Sequence, residues 1–299
     1  LLQRLIAFIS ISFCRVMGLL PLPVCRAIGR ALGIVAFALV PRVRRVALDN
    51  LRKAYGDSLS EREIHAIARG AAINVGIVAA EFAHLPRLAP ENVARWVTIE
   101  GTEYLNRERP GFMLAAHLGN WEWMATVLMN LGFSVAEVVR PLDAPALNAY
   151  VDRIRTSRGV RTIDKTGGGQ EMLRLLKEGW IVGVLADQSP RESAVPVTFF
   201  GRPCWATVAP AMVALRQKMP IVVVTMTRDA HGHYTLRISP PVSVERTGDF
   251  RADIVAITQR CQDLLEQHVR AHPEQWLWLH RRWKARPRLE EEWANKQRG

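Results

Sequence analysis

Seven short strand-like runs, alternating with helical segments, constrain the fold of this chain more than any other feature. The runs at residues 112–116, 135–139 and 180–186 are almost wholly apolar, which is typical of strands buried on both faces of a sheet. The other four runs are at 97–100, 160–163, 221–227 and 233–239. The helical segments between and after them are at 121–131, 145–157, 170–178, 208–218 and 253–270. This alternation predicts an α/β fold with a mostly parallel mixed sheet flanked by helices, in which 233–239 returns antiparallel.

Polar side chains follow three of these apolar runs, at the point where each strand is predicted to end. They are His117, Arg140 and Asp187. Ligands of open α/β sheets bind outside the carboxyl ends of the strands. We therefore expect the functional site at this edge.

The stretch from His117 to Glu122 reads as a strand end, a tight turn and the first turn of a helix. Five residues on one helix would place two side chains about 140° apart. The two can face each other only if the helix begins between them, and Gly119 and Asn120, a turn former and a good N-cap, supply that break. The spacing favours His117 as a general base oriented by Glu122. The alternative is a buried structural histidine with an unrelated surface glutamate.

Residues 1–48 contain seven arginines and no acidic residue. Pro21 and Pro23 interrupt their apolar runs, and neither run reaches the roughly 18–20 uninterrupted apolar residues of a clear membrane span. We predict a membrane-anchoring helical segment over 1–48, as an interfacial or embedded hairpin, and an α/β domain over 49–299. A tilted single span is the alternative. In either case the cluster Arg42, Arg44 and Arg45 marks the cytoplasmic side.

The composition narrows the class of partner. A net charge of +12 favours polyanions such as anionic lipids, phosphorylated substrates or an acidic carrier protein, against the alternative of a merely soluble basic surface. The mean hydropathy of +0.01 favours partial membrane contact. No zinc finger or aromatic strand motif indicates nucleic acid. The four cysteines are scattered, which predicts reduced thiols and neither a disulfide framework nor a zinc site.

Four further sequence features bear on the chemistry. The chain has no Gly-x-Ser-x-Gly, which excludes a serine-hydrolase elbow. The glycines at 167–169 match neither phosphate-loop pattern, so a flexible helix entry is favoured over a phosphate cradle. The pair His231 and His233 is better explained by a hairpin turn than by a metal site. In the basic tail 280–288 and its neighbouring tryptophans we expect interfacial anchoring, with a solvated helix end as the alternative.

Several sequence blocks resemble a known family. The block from His117 to Glu122 resembles the His-x4-Asp/Glu motif of acyltransferases, and more specifically that of the bacterial lipid A biosynthesis acyltransferases. The resemblance continues in order along nearly the whole chain, through Arg140-Pro141, Arg158-Gly159, 183–188, 199–201, 219–222 and 273–284. The Phe-Pro-Glu-Gly block of glycerol-phosphate acyltransferases is absent, and Phe199-Phe200-Gly201 stands roughly in its place.

The resemblance implies a glycerolipid-acyltransferase-like fold and an inner-membrane enzyme whose active site faces the cytoplasm. Its donor would be an acyl carrier protein thioester. Its acceptor would be a hydroxyl on an acyl chain of a Kdo-bearing lipid A precursor, and inner-membrane lipids would be further partners. No metal and no cofactor are implied, because a thioester is already activated.

The resemblance also implies roles for individual residues. His117 would be the catalytic base and Glu122 would orient its imidazole. Backbone N–H groups after Gly119 would stabilise the oxyanion. The substrate-binding candidates are Asn120, Arg140, Arg158 and Asp187. The two arginines would contact phosphate or phosphopantetheine, whereas Asp187 would orient an arginine or cap a loop.

Two other functions stay open at this point. One is an acyl-CoA-dependent acyltransferase that acts on another glycolipid, such as a phosphatidylinositol mannoside. The other is a membrane-associated lipid-binding protein without catalysis, which the intact His117–Glu122 motif disfavours. The sequence does not fix the acyl chain length or the precursor chain that is acylated.

Overall fold

The structure is a computed structural model that describes residues 2–108, 110–244 and 246–298; the end residues Leu1 and Gly299 of the two predicted segments lie outside the described part. The helices are α1 (Leu2–Leu19), α2 (Leu22–Leu39), α3 (Pro41–Tyr55), α4 (Glu61–Glu81), α5 (Pro90–Val93), α6 (Met124–Asn130), α7 (Pro145–Arg155), α8 (Gly169–Lys177), α9 (Ala209–Gln217), α10 (Phe250–Ala271) and α11 (Pro287–Arg298). The strands are β1 (Val97–Glu100), β2 (Phe112–Gly119), β3 (Val135–Val139), β4 (Arg161–Asp164), β5 (Ile181–Leu185), β6 (Ala194–Phe199), β7 (Arg202–Thr207), β8 (Ile221–Arg228) and β9 (Tyr234–Ile238).

Seven of these strands form one sheet in the order β1-β9-β8-β2-β5-β3-β4. All neighbouring pairs are parallel except β8 and β9, which run antiparallel with Met226 opposite Leu236. The predicted α/β class with a mostly parallel mixed sheet is therefore confirmed. Strand β2 lies between β5 and β8, so the strand that carries His117 is central.

Both faces of the sheet are covered, which explains why the sequence of β2 is so apolar. Phe112 and Leu114 pack on one side with the core residues of α3, α4 and α10. Met113 and Ala115 pack on the other side with Trp123 and the core residues of α6. Successive side chains of a strand point to opposite faces, so burial on both faces requires a continuous apolar run.

The amino-terminal helices pack on the domain through small residues. Pro21 separates α1 from α2, as the sequence predicts. Gly29 and Gly33 of α2 lie against Gly76 and Ala72 of α4, so closely that a Cβ on Gly29 would be 2.5 Å from the carbonyl oxygen of Gly76. The backbones of α2 and α4 thus approach each other in a way that only small residues permit.

Large exposed apolar side chains collect on α1 and α2, including Phe8 and Leu19 of α1 and Leu39 of α2. Two segments of the described chain, Leu22–Leu39 and Glu61–Arg87, are long and apolar enough to cross a membrane by length and composition alone. These features are compatible with membrane association. The predicted segment boundary after residue 48 stays a prediction, and α3 runs without a break across it.

Two parts of the chain differ from the sequence expectations. The hairpin β6–β7, which pairs Val197 with Cys204, was not predicted. The tryptophans at 276 and 278, expected at a membrane interface, are instead in the core: their indoles are 2% and 0% exposed. Each indole N–H has a protein acceptor, which allows the ring to be buried.

Candidate active site

His117 and Asp187 form the centre of the candidate site. The imidazole Nδ1 of His117 lies 2.8 Å from Oδ1 of Asp187, and the backbone N–H of His117 donates to Oδ2 at 2.9 Å. His117 belongs to β2, and Asp187 follows β5, its direct neighbour in the sheet. The parallel pairing of these strands brings the two residues together across 70 positions of sequence.

Asp187 is fully enclosed and remains ionised. Burial by itself raises the pKa of a carboxyl group, but the interactions with His117 and the indole N–H of Trp276, 2.7 Å from Oδ2, outweigh it. The net result lowers the pKa of Asp187 from 3.8 to about 2. Both carboxylate oxygens accept N–H groups, so this side chain is a fixed anion behind the imidazole.

The other imidazole nitrogen of His117 is directed away from Asp187. With the proton on Nδ1 facing the carboxylate, Nε2 presents a lone pair. The amide nitrogen of Gln188 lies 3.4 Å from Nε2, and the ring of Trp121 meets the imidazole edge-on at 5.2 Å between centroids. The His117 side chain is 17% exposed. An imidazole held at Nδ1 and accessible at Nε2 is the arrangement of a general base.

The predicted pairing of Glu122 with His117 is not what the structure shows. The Glu122 carboxylate makes a bidentate pair with Arg155 of α7, with oxygen–nitrogen distances of 2.7 and 2.9 Å. The reason lies in the element boundaries. Strand β2 continues to Gly119 and α6 starts only at Met124, so Glu122 lies in the intervening turn. Asp187, and not Glu122, is the carboxylate that contacts the imidazole of His117.

A small cavity of about 50 Å³ lies beside this turn, between the sheet and helices α6 and α7. Apolar side chains of β2 and β5 line it together with Glu122, Arg155 and Glu137. Desolvation by burial, reinforced by the negative charge of Glu122, raises the pKa of Glu137 to about 8, although Arg155 acts in the opposite direction. Arg155 therefore neutralises Glu122, while Glu137 is mostly protonated at neutral pH.

Asn120 was predicted to bind substrate, but its side chain is fully buried. Its Oδ1 accepts the backbone N–H of Trp123 at 3.2 Å, and its Nδ2 donates to Glu81 at 2.7 Å. Glu81 also accepts the hydroxyl of Tyr234 at 2.5 Å and pairs with Arg26 of α2. Asn120 therefore fixes the turn after His117 from inside the protein and has no polar side-chain group left for substrate.

Gly119 makes this turn possible. Its φ is +61°, a conformation that favours glycine, and a Cβ there would lie 1.7 Å from the carbonyl oxygen of Met226. Its own carbonyl accepts the amide of Asn74 at 2.9 Å. The turn is thus clamped between β8 and α4.

The two predicted arginines lie in different places. Arg140 follows β3 at the carboxyl edge, as expected, and its side chain is 68% exposed beside Asp143. Arg158 immediately precedes Gly159 and β4, so it lies toward the amino ends of the parallel strands, the edge opposite His117. The prediction that Arg158 binds substrate in this site does not fit its position.

Sequence reasoning missed several residues of the site. Trp276 and Gln188 were visible within the family blocks, but nothing in their spacing shows that they contact Asp187 and His117. Glu81 lies in a helix that carried no motif, and Arg155 is an ordinary helical arginine by pattern. In the part of the chain that the structure describes, no group of three or more metal-ligating side chains occurs, and the four cysteines are free and buried.

Comparison with known proteins identifies the family of this chain. A family model described as bacterial lipid A biosynthesis acyltransferase matches residues 1–285. The chain belongs to this family. Among its relatives, the lipid A biosynthesis acyltransferase of Haemophilus influenzae is 26% identical, over 94% of this chain and 90% of that protein. The lipid A biosynthesis palmitoleoyltransferase of Escherichia coli is 27% identical, over 90% of this chain and 87% of that protein.

Two further likenesses are more distant. The phosphatidylinositol mannoside acyltransferase of Mycobacterium tuberculosis is 25% identical, over 69% of this chain and 66% of that protein. The solved structure of the 1-acyl-sn-glycerophosphate acyltransferase PlsC from Thermotoga maritima aligns with a TM-score of 0.36 at 15% identity, over 79% of this chain and 96% of that one. The family membership rests on the match over residues 1–285, and the structure adds a His–Asp pair at the carboxyl edge of the central strand.

Proposed function

We propose that this protein transfers a fatty acyl chain from an acyl carrier protein thioester to a hydroxyl on an acyl chain of a Kdo-bearing lipid A precursor. The observation that carries the proposal is the imidazole of His117, held at Nδ1 by the buried carboxylate of Asp187. Membership of the family supplies the lipid class. The His/Glu dyad of the sequence prediction is revised accordingly to a His117–Asp187 pair.

In this mechanism Nε2 of His117 removes the proton of the acceptor hydroxyl. The hydroxyl oxygen forms a bond to the thioester carbonyl carbon, and the carbon–sulfur bond then breaks. The protonated imidazole returns its proton to the departing thiolate, so that an ester and a free thiol result. Asp187 stabilises the imidazolium between these steps, because it is a fixed anion 2.8 Å from Nδ1.

The turn after β2 supplies candidate donors for the oxyanion. The backbone N–H of Asn120 donates to the carbonyl oxygen of Met226, and the backbone N–H of Trp123 donates to the carbonyl oxygen of Asn120. Within the described chain, the N–H groups of Trp121 and Glu122 between them donate no hydrogen bond. We propose that these two groups, fixed by the buried Asn120 side chain, stabilise the negative charge on the carbonyl oxygen.

Glu122 keeps a supporting place in the proposal. Its pairing with Arg155 fixes the side of the turn that faces the cavity, and thus the direction of the Trp121 and Glu122 N–H groups. Glu122 is then a positioning residue, because the charge it could lend to His117 is already matched by a guanidinium.

The charge and the surface of the protein support the proposed donor and location. Arg140 is exposed at the carboxyl edge of the sheet, where a phosphopantetheine phosphate would approach the thioester site. A net charge of +12 suits an acidic carrier protein and an acidic lipid. We propose that α1 and α2, with their exposed apolar side chains, hold the enzyme on the inner membrane with the site toward the cytoplasm.

The test is a transfer assay with purified protein, in which each acyl donor is supplied either on carrier protein or on CoA. We expect His117→Ala to lower the rate about a thousandfold with the carrier-bound donor. Thr198→Ala, in the hairpin outside the site, is the control and should keep the rate. Wild-type transfer by His117→Ala would refute the general-base role.

The donor and acceptor are tested separately. A preference for acyl-CoA together with transfer to a phosphatidylinositol mannoside would favour the other glycolipid function, which the Mycobacterium tuberculosis relative represents. Mass spectrometry of lipid A from a deletion strain, before and after complementation, would identify the chain added and its position. Lipid binding without any acyl product would support the non-catalytic alternative.

A further inference from the structure

A cleft of about 460 Å³ lies away from His117, between α3 and the segment that follows the buried tryptophans. Four arginines line it: Arg44, Arg45 and Arg52 from α3, and Arg281 from the carboxyl-terminal part of the chain. This cluster could not be predicted from the sequence, because 229 positions separate Arg52 from Arg281. Asp49 is the one acidic side chain among the residues that line the cleft.

The charges in this arginine cleft are not balanced. Arg52 is paired bidentately with Glu61 at 2.8 and 2.7 Å, and Asp49 is paired with Lys53 at 2.9 Å. In the described part of the chain, no ion pair or hydrogen bond joins Arg44, Arg45 or Arg281 to a carboxylate. Three guanidinium groups therefore line one open cleft whose carboxylate, Asp49, is already paired with Lys53, and this excess of positive charge favours an anionic ligand.

The walls of the cleft are held in place from behind. Asn50, on the buried side of α3, donates from Nδ2 to the carbonyl oxygens of Trp278 and His280 at 2.7 and 2.6 Å. These bonds fix the segment that carries Arg281 against the helix that carries Arg44 and Arg45. A site whose walls are tied together loses less conformational entropy when a ligand binds.

The position of the cleft indicates where its ligand comes from. α3 begins at Pro41, directly after α2, whose last residues expose apolar side chains: Leu39 is 74% exposed and Val35 51%. If these side chains contact hydrocarbon, the arginines that follow stand at the level of the lipid headgroups. The same segment reaches the active site, since Nε2 of His280 accepts the backbone N–H of Ser189, two residues after Asp187.

We propose that the arginine cleft binds the phosphate monoester of a lipid headgroup presented from the membrane. A phosphate monoester carries a charge between −1 and −2 and three acceptor oxygens, which suits several converging guanidinium groups better than a phosphodiester does. The lipid is either the glycolipid acceptor or a surrounding phospholipid. Only the first source rests on the proposed function; binding of a phosphate monoester does not require acyl transfer.

The experiment measures binding of the full-length protein to vesicles of phosphatidylcholine that contain either phosphatidic acid, a monoester, or phosphatidylglycerol, a diester, at equal surface charge. The variant is Arg44→Gln/Arg281→Gln, which removes one arginine from each wall. The matched control is Lys177→Gln/Arg260→Gln, which removes the same charge from exposed positions on α8 and α10. We expect the cleft variant to bind phosphatidic acid vesicles about a hundredfold more weakly than wild type, since each lost charge-assisted contact is worth about tenfold. We expect the control to lose less than threefold.

Kinetics with the glycolipid acceptor in detergent micelles distinguish the two sources. A higher KM for the acceptor with unchanged kcat in the cleft variant would assign the phosphate to the acceptor. An unchanged KM together with weaker vesicle binding would assign it to the surrounding phospholipid. Both results support the cleft, and a protein without any transfer activity would still show the vesicle result.

Two results would overturn the proposal. Equal binding of wild type to the monoester and diester vesicles would show that only diffuse charge attraction acts. An equal loss in the cleft variant and the control would show the same. Thermal unfolding of both variants within about 2 °C of wild type establishes that they are folded, and Arg45→Gln alone provides a milder variant of the same cleft.

Discussion

The substitution Asp187→Asn tests which of two carboxylates, Asp187 or Glu122, orients the imidazole of His117. In the structure Asp187 accepts three N–H groups: Nδ1–H and the backbone N–H of His117, and the indole N–H of Trp276. An asparagine can keep its oxygen toward the two donors on the Oδ2 side. Its NH2 group then faces Nδ1 of His117, which must become an acceptor, so the ring proton moves to Nε2.

This change of tautomer abolishes the lone pair that removes the acceptor proton. We expect kcat to fall about a thousandfold, within the range of general-base contributions, which corresponds to about 4 kcal/mol of activation free energy. The stability cost is smaller. A pKa lowered from 3.8 to about 2 in the folded protein corresponds to about 2 kcal/mol, present above pH 4 and lost as the pH falls toward 2.

The assay is single-turnover transfer from the carrier-bound donor, with circular dichroism to confirm folding and nitrogen NMR of the imidazole to report its tautomer. Glu122→Gln is the comparison, because it keeps the shape of the turn and weakens only the pair with Arg155. Activity of Asp187→Asn within tenfold of wild type, with a thousandfold loss in Glu122→Gln, would refute the assignment of Asp187. It would restore the pairing first inferred from sequence spacing.

Three further predictions follow from the same contacts. Gly119→Ala should prevent stable folding, because its Cβ would overlap the Met226 carbonyl oxygen. Gly167→Ala should lower the melting temperature by only a few degrees, because no atom of the described chain lies within 4 Å of its Cβ. Thermal unfolding measures both effects. Glu137→Gln should raise the melting temperature more at pH 8 than at pH 5. The folded-state pKa of about 8 exceeds the ordinary 4.5, so the native state holds the extra proton and loses stability as pH rises between them; equal gains at both pH values would contradict this. Glu81→Gln should lower kcat with little change in KM, because it loosens Asn120 and the turn without touching substrate, and unchanged kcat would contradict that positioning role.

The sheet could be predicted from the sequence because its strands are buried on both faces. The run 135–139 is therefore apolar except for Glu137, and its predicted bounds equal those of β3. The carboxyl-edge argument likewise placed His117, Arg140 and Asp187 on one edge, because it depends only on where parallel strands end. The hairpin β6–β7 was not predicted because each of its strands contains a proline, Pro196 in β6 and Pro203 in β7, and proline argues against a strand.

The sequence could locate the site only at the carboxyl edge of the sheet; it did not predict which side chains contact each other there. The pairing of His117 with Glu122 was inferred from their spacing in the sequence. Such spacing predicts a contact only when the ends of the strand and the helix are known to within one residue. Here β2 runs two residues past His117 and α6 starts two residues after Glu122. Glu122 therefore lies in the turn between them, where its carboxylate pairs with Arg155. The position of Arg158 at the other edge could not be predicted for a related reason, since its motif identifies a place in the chain but not an edge of the sheet.

The contacts of Glu81 connect the amino-terminal helices to the turn beside His117. One carboxylate oxygen of Glu81 pairs with Arg26 of α2, and the other accepts Asn120 of the turn and the hydroxyl of Tyr234. The close packing of α2 on α4 holds Arg26 at this carboxylate. A helix that exposes apolar residues to its surroundings is therefore connected by two side-chain contacts to the turn beside His117. Removal of the Arg26 side chain would leave the buried carboxylate of Glu81 without its cation, a change that costs about 3 kcal/mol or more. The amino-terminal segment consequently serves the fold of the active-site turn in addition to any contact with a membrane.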